Sequence, residues 1–468
     1  MEARELPGKF IAGCTAVFAL AMAAAALSAA ADYGPAGLFG WALCIAAFSA
    51  VFAAALWAQS RLPGRALLPV IFAAALLLRL PFALLPDEAQ SSDFALLYSA
   101  AQGLAAGDAS ALSGAYFLRW GYQIPFVLYE ALVIRLGGGV AALRVLNALW
   151  MSGSCVLACL LAESFAGRRA GFAAGLLFAL YPGALTLAPV LTNQHISLFF
   201  TLLGLWLLLE RGPFSESGGA KSRLLWGAAA GLSLAFGNLM RPEGALALAS
   251  ALVTAAALLI SGRLGFKRLA LPLAAVFAAY FALGFAASAA VTASGIAPGG
   301  IGNNRPEWKL VLGLDTASGG TYSAQNEYIL DIEDDGVRRT AALEAIDASL
   351  SGCADLPGFF WGKLRLMWGA MDDLSFVSGG LPAERLVLIA ERAAFLLAAA
   401  LAALGCAKAL RRGAGATGLL LMCMVSANFV CYLFIEVQPR YRCSVVPALF
   451  ALAAGAGLRY GHRGEKRV

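Results

Sequence analysis

Runs of about 18–24 apolar residues recur along this chain, and no other feature limits its fold so much. Each run can cross a hydrocarbon layer roughly 30 Å thick. Lipid offers no hydrogen bonds to an open backbone, so the runs must be helices, and the strict alternation of a membrane barrel is absent. The same runs make 60% of the 468 residues hydrophobic and leave 13% charged, at a mean hydropathy of +0.76. One soluble core cannot hide that much apolar surface. The windows lie near 10–31, 38–59, 66–85, 143–162, 170–188, 192–210, 223–240, 243–262, 268–291, 386–409, 415–435 and 443–460. They predict an all-α polytopic membrane protein of about twelve transmembrane helices.

Charge placement tests that count. Arg61 and Arg65, Arg168 and Arg169, Arg211, Lys221 and Arg223, Arg263, Lys267 and Arg268, and Lys408, Arg411 and Arg412 occupy every second connection. Arg4 and Lys9 open the chain; Arg459, Arg463, Lys466 and Arg467 close it. The positive-inside rule makes these loops and both termini cytoplasmic, in a plasma membrane. The net charge of +6 is spread over short loops, so it reads as topology and not as a nucleic-acid patch. The first window ends in ALSAAADYG, which suits a signal peptidase, but its length favours a retained span. Seven of the nine cysteines (Cys14, Cys44, Cys155, Cys159, Cys406, Cys423 and Cys431) lie inside apolar windows and Cys443 opens the last one, without metal-ligand spacing. Cys155 and Cys159 read as small packing residues.

Two connections are long, and both fall on the outer side. The first runs over 86–142. The second, 292–385, holds 13 of the chain's 28 acidic residues. Within it, 337–350 reads as a helix and 358–371 as an amphipathic interfacial helix carrying Phe359, Phe360, Trp361 and Trp368. The chain therefore divides into two N-terminal helices (1–65), a transmembrane core with the first outer loop (66–291), an extracytoplasmic region (292–385), and C-terminal helices with a basic tail (386–468).

Polar residues interrupt the apolar pattern at four places, all on the outer side. Asp87, Glu88 and Asp93 follow the third window. A carboxylate there could act as a general base beside a lipid headgroup; equally, Ser92 or Asp93 could cap a helix over 94–106. Next, YFLRWGYQIPFVLYE carries Tyr116, Arg119, Trp120, Tyr122, Gln123 and Tyr129, a density that suits a membrane-anchoring belt before it suits sugar stacking. Third, Asn193, Gln194 and His195, and then Asn238, Arg241 and Glu243, lie at the outer ends of mid-chain windows. A lone histidine at a helix end is more often a hydrogen-bonded structural residue than a catalyst. Arg241 sits in a short outer turn, where a cation calls for a partner or a function. Fourth, FIEVQPRYRCSVVP sets Glu436, Gln438, Arg440, Tyr441 and Arg442 between the last two windows. Guanidinium groups bind phosphate oxygens bidentately, and a lipid-linked donor presents a phosphate at that depth. The competing structural reading is a salt bridge from Arg440 to Glu436.

In this order, SDFALLYSAAQGLAAGD, GYQIPFVLYEALVIRLGGG, the Arg241-Pro242 pair, WKLVLGLDTASGGTYSAQNE and QPRYRCSVVP resemble the bacterial family-39-like glycosyltransferases of the GT-C fold. Protein O-mannosyltransferases and the lipid A aminoarabinose transferase stand alongside them. The resemblance runs from about residue 66 to 460; each motif is weak, and their order and shared outer location make the match specific. It implies an integral membrane glycosyltransferase that moves a sugar from a polyprenyl-phosphate donor to an acceptor on the extracytoplasmic side, with inversion. It puts the base at Asp93. Asp87 and Glu88 are the runner-up, because they keep the literal acid pair of the commoner pattern. It puts the carrier phosphate at Arg440 and Arg442, with Arg241 third. Arg119, Tyr122, Gln123, His195, Glu436 and Gln438 complete the substrate-binding candidates. Residues 313–315 and 319–320 match a segment of the family's outer loop, with no role assigned.

No cofactor is required on this reading, since a phosphate is already a good leaving group; a divalent metal could use Asp334 and Asp335 or Asp372 and Asp373. The expected partners are the donor, a lipid, glycan or protein acceptor, and the bilayer. The rival from another class is a transporter or flippase for a glycolipid, which would set polar residues and broken helices at mid-depth. The windows read Ala, Leu, Gly and Phe almost throughout. A surface-glycan polymerase or ligase, also a many-helix protein with outer arginines, is the nearer alternative.

Overall fold

The computed structural model describes residues 2–30, 34–84, 89–297, 299–370 and 384–456. Among the described residues every regular element is a helix, apart from an isolated antiparallel bridge between Trp120 and Asn303. Helices α1 (Glu2–Ala30), α2 (Gly34–Gln59) and α3 (Leu67–Leu84) lead into the first long connection. That connection carries α4 (Ser92–Ala105), α5 (Ala115–Arg119) and α6 (Ile124–Arg135). The middle of the bundle is α7 (Val140–Ala166), α8 (Arg168–Leu180), α9 (Pro182–Thr186), α10 (Gln194–Glu210), α11 (Ala220–Met240), α12 (Gly244–Ile260) and α13 (Phe266–Ala293). The second long connection holds α14 (Trp308–Gly313), α15 (Asp335–Ser351) and α16 (Leu356–Leu364), and α17 (Glu384–Arg412), α18 (Ala416–Phe434) and α19 (Val446–Ala456) follow. Seven of these helices (α1, α2, α3, α7, α13, α17 and α18) are long and apolar enough to cross a membrane, and α10, α12 and α19 are apolar but shorter. The chain is a multi-pass membrane protein.

Small residues set how closely the helices approach, since lipid supplies no hydrophobic drive between them. Gly227 and Gly231 of α11 face α13; a Cβ added to them would stand 2.6 and 2.2 Å from the carbonyl oxygens of Pro272 and Val276. Gly175 of α8 meets Cys159 of α7, and Cys159 and Cys155 are buried free thiols, the packing role their spacing suggested. Helix α1 lies against α17 and α18, with Phe18 stacked 4.4 Å from Phe429 and the Thr15 and Ser426 hydroxyls 2.9 Å apart.

The window 170–188 is not one helix. Pro182 supplies no N–H and holds Tyr181 extended (φ −65°, ψ 115°), so α8 stops at Leu180. After the single turn of α9, residues 187–193 run irregular and buried. Such backbone survives at this depth only where protein groups satisfy it. Arg79 of α3 donates to the Phe178 and Ala179 carbonyls at 3.2 and 3.1 Å, closing the broken end of α8. Arg144 donates to Pro189 O at 3.0 Å and Asn147 to Val190 O at 2.9 Å. Gln90 donates to Pro189 O at 3.2 Å and accepts from Leu191 N at 2.9 Å. The expectation of nearly apolar windows is corrected here: Arg79, Asn147, Glu391 and Asn428 are buried inside them. Hydropathy averaged over a whole window hides one polar side chain, and its partner is visible only in three dimensions.

Helix α15 covers the segment expected at 337–350. The helix expected over 358–371 is α16 followed by a π-helical turn, Arg365–Gly369. That turn carries Trp368 into the bundle, stacked on Phe395 and Phe429, while Trp361 stays 40% exposed. Only part of the aromatic set is therefore available to an interface.

Candidate active site at the loop-rich end

Four segments distant in sequence converge at the end of the bundle that bears the long connections. They are the start of α4, the α5–α6 turn, the α11–α12 turn and the Pro439–Ser444 turn between α18 and α19; α14 adds a fifth. Helix α11 ends where Arg241, extended ahead of Pro242, leaves the helical path. Arg241 Nε pairs with Glu243 Oε1 at 2.6 Å and Nη1 reaches Asn193 Oδ1 at 3.4 Å. Asn193 in turn donates to Gln123 Oε1 at 2.9 Å. The Arg241 guanidinium lies 4.6 Å over the Tyr441 ring. Gln123, Asn193, Arg241, Glu243 and Tyr441 are thus one connected network.

Glu436 is paired with Lys309 of α14, not with Arg440, and accepts from Gln438 Nε2 at 2.8 Å. Burial works against the Lys309 charge, but Tyr441, Glu436 and Tyr122 outweigh it and its pKa is raised. The Arg440 guanidinium lies 5.0 Å over the Phe94 ring and 5.8 Å over Tyr441, held by cation–π attraction. Gln194 Nε2 donates to Arg440 O at 3.0 Å and fixes the turn from α10. No carboxylate pairs with Arg440 among the described residues.

Asp93 precedes Phe94 in the chain and is exposed. The N-cap of α4 is Ser91, without a side-chain cap bond, so neither Ser92 nor Asp93 does the capping. Asp93 makes no side-chain hydrogen bond or ion pair among the described residues. Ser92, beside it, is the sole non-glycine with positive φ (53°) among the described residues. Left-handed backbone at such a residue costs of order 1–3 kcal/mol and persists where the surroundings impose it. Three tyrosines feel the Asp93 charge: Tyr116, Tyr122 and Tyr322. Burial first, then Asp93, raises Tyr116; burial also raises Tyr122, against the pull of Lys309 and Arg241. Both are hydroxyl donors at neutral pH.

Other candidates lie elsewhere. Arg442 turns into the bundle, pairs with Glu391 of α17 and stacks 4.7 Å over Phe395, while Tyr181 donates to the same carboxylate. His195 Nε2 lies 3.1 Å from Leu187 O, in the seam of the broken helix. Arg119 pairs with Asp331 and joins the two long connections next to the Trp120–Asn303 bridge. Asp334 caps α15 through Val337 N at 2.8 Å and Asp335 pairs with Arg338, so both are committed. Asp87, Glu88, Asp372 and Asp373 lie outside the described residues.

Lys309, Lys363 and Glu130 also escaped the sequence reading. Lys309 carried a visible signal, a cation in a strongly acidic connection. Lys363 of α16 is buried and donates to Leu433 O at 2.9 Å and to Gly313 O; burial pulls its pKa down to about 7. Glu130 of α6 is buried with no partner for either oxygen among the described residues, and burial pushes its carboxyl up to about 9. Gly313 makes the closest contact here: an added Cβ would stand 2.2 Å from Phe434 O and Ile435 C. Gly313→Ala is expected to cost about 1–3 kcal/mol through overpacking. Hydrogen exchange should show it as faster exchange of the 313–322 amides, and unchanged protection there would contradict the packing argument.

The fold is similar to two solved membrane enzymes. One is the archaeal oligosaccharyltransferase AglB from Archaeoglobus fulgidus, solved with an inhibitory peptide and a dolichol-phosphate, at 14% identity and a TM-score of 0.43. The match covers 82% of this chain and 50% of that one, so this chain spans half the length of the archaeal enzyme. The other is ArnT from Cupriavidus metallidurans bound to undecaprenyl phosphate, at 14% identity and a TM-score of 0.38, covering 84% of this chain and 78% of that one. At that identity and superposition the likeness carries no residue-level correspondence. No protein-family model and no curated protein sequence matches the chain.

Proposed function

We propose that the loop-rich end transfers a sugar from a polyprenyl-phosphate donor to an acceptor hydroxyl on the extracytoplasmic side, with Asp93 as general base and Arg440 on the donor phosphate. One observation carries this reading. A guanidinium without a carboxylate partner stands on Phe94, and the residue before Phe94, Asp93, is an exposed carboxylate that caps nothing and pairs with nothing among the described residues. The other cations of this cluster, Arg241 and Lys309, are already matched by Glu243 and Glu436.

In this reaction Asp93 takes the acceptor proton as the hydroxyl oxygen attacks the anomeric carbon. The bond from that carbon to the phosphate oxygen breaks on the opposite face, and the polyprenyl phosphate leaves with the electron pair, giving inversion. Base assistance of this kind is typically worth about 10²–10⁴-fold. Arg440 stabilises the charge that gathers on the leaving phosphate, an electrostatic contribution often larger still. Arg241, braced by Glu243 and Asn193, sits on Tyr441, against which Arg440 also lies. Gln123, Tyr122, Gln438 and Glu436 offer the polar groups for sugar hydroxyls.

The test is release of radiolabelled sugar from a panel of polyprenyl-phosphate sugars by the purified protein in detergent. Arg440→Ala is expected to weaken donor affinity by about 10–100-fold, the scale of a hydrogen bond to a charged group (about 1.5–3 kcal/mol). Release from no donor in the panel, or an affinity indifferent to Arg440, would remove the reading.

A further inference from the structure

The segment 313–322 has Gly313, Gly319 and Gly320 at fixed places and no part in the chemistry above. Its geometry shows what each glycine is for. Gly313 lets α14 touch the backbone of Phe434 and Ile435. Val437 N then donates to Gly320 O at 3.0 Å and Glu436 N to Lys309 O at 2.9 Å, which stitches the segment to the turn bearing Arg440. Gly319 (φ 67°) and Gly320 (φ 81°) reverse the chain in left-handed conformations that favour glycine. Inside the reversal, Gly320 N donates to Asp315 O at 3.0 Å, Ala317 N to Asp315 Oδ1 at 3.1 Å, and Thr321 Oγ1 to Ser318 O at 2.9 Å. The loop is short, crosslinked and anchored at both ends.

What it presents is Tyr322. This ring is 59% exposed, and its hydroxyl donates to Glu327. Tyr116 and Tyr122, on the α5–α6 side of the cluster, are half-buried by contrast. An exposed aromatic face on a stiff loop, hydrogen-bonded at Gly320 to the Glu436–Val437 stretch that leads into the Arg440 turn, suits the apolar face of a sugar ring. We propose that Tyr322 is the donor-sugar specificity residue of this site, stacking on the sugar while Arg440 takes the phosphate. The proposal rests on the glycosyl-transfer reading. Glu327 ties down the hydroxyl end of the ring, and the contact itself needs only the ring.

The test compares binding of two probes to the full chain in detergent: radiolabelled undecaprenyl phosphate, and the same lipid bearing a hexosyl, N-acetylhexosaminyl or aminopentosyl group. Wild type is expected to bind one of the sugar-bearing lipids more tightly than the bare lipid. Tyr322→Ala should lose about tenfold of that preference, the scale of one aromatic contact, with bare-lipid affinity unchanged. Tyr322→Phe should keep most of the preference. A Tyr322→Ala protein with its sugar preference intact, or a wild type that prefers no sugar-bearing lipid, overturns the role of Tyr322 alone. A wild type that binds neither probe overturns the transfer reading and Tyr322 with it.

Discussion

Asp93→Asn is expected to cut sugar transfer by about 10²–10⁴-fold and to leave donor binding within about twofold. Asparagine keeps the size and shape of the side chain and removes its proton affinity. Asp93 caps no helix end and holds no ion pair among the described residues, so the substitution has no structural bond to break. Thermal unfolding of the variant should match wild type. This separates the chemistry from the fold cleanly, which few carboxylates in a membrane protein allow. Single-turnover measurement with a bound, radiolabelled donor reads the step directly. Transfer that survives at a comparable rate moves the base away from Asp93, and Asp87 and Glu88, on the same connection, become the residues to substitute.

The largest effect on stability should come from a residue far from the transferred sugar. Glu391 and Arg442 form an ion pair whose side chains are 0% and 5% exposed, with the Tyr181 hydroxyl on the same carboxylate. Removing one partner of such a pair leaves a buried charge uncompensated, at about 3–5 kcal/mol. Glu391→Leu is therefore expected to unfold at a markedly lower temperature in detergent. The double variant Glu391→Leu with Arg442→Met should recover much of the loss, because a well-packed apolar pair replaces two desolvated charges. The same series settles the second arginine of the motif. If Arg442→Met weakens donor binding without lowering stability, Arg442 touches the carrier phosphate after all, and its pairing with Glu391 is incidental.

The membrane character of this chain was legible because it depends on local sequence. Whether a run of twenty residues can lie in lipid is a sum over that run, independent of what packs beside it. The Cys155–Cys159 spacing, the helix at 335–351 and the grouping of polar residues between windows were readable for the same reason. Where a helix breaks was half-legible: Pro182 marks the end of α8, but nothing local says that Arg79, a hundred residues earlier, closes it.

The pairings belong to the tertiary structure. Arg440 and Arg442 are equivalent in sequence, two residues apart on the turn Pro439–Ser444. On a 3₁₀ turn of about three residues per turn, positions two apart point roughly 120° away from each other. One arginine must then leave the face that the other occupies. Sequence alone determined that a cluster of cations would stand among the polar segments between the windows. Only the packing of α17 decided which of them is neutralised, because Glu391 enters from a helix fifty residues upstream and reaches Arg442 but not Arg440. Glu436 likewise lies four residues before Arg440 and took Lys309 instead, since α14 docks on the chain at Phe434 and Ile435 through Gly313. A charge keeps its sequence position in every conformation, but its partner is chosen by whichever helices the bundle brings within a few ångströms.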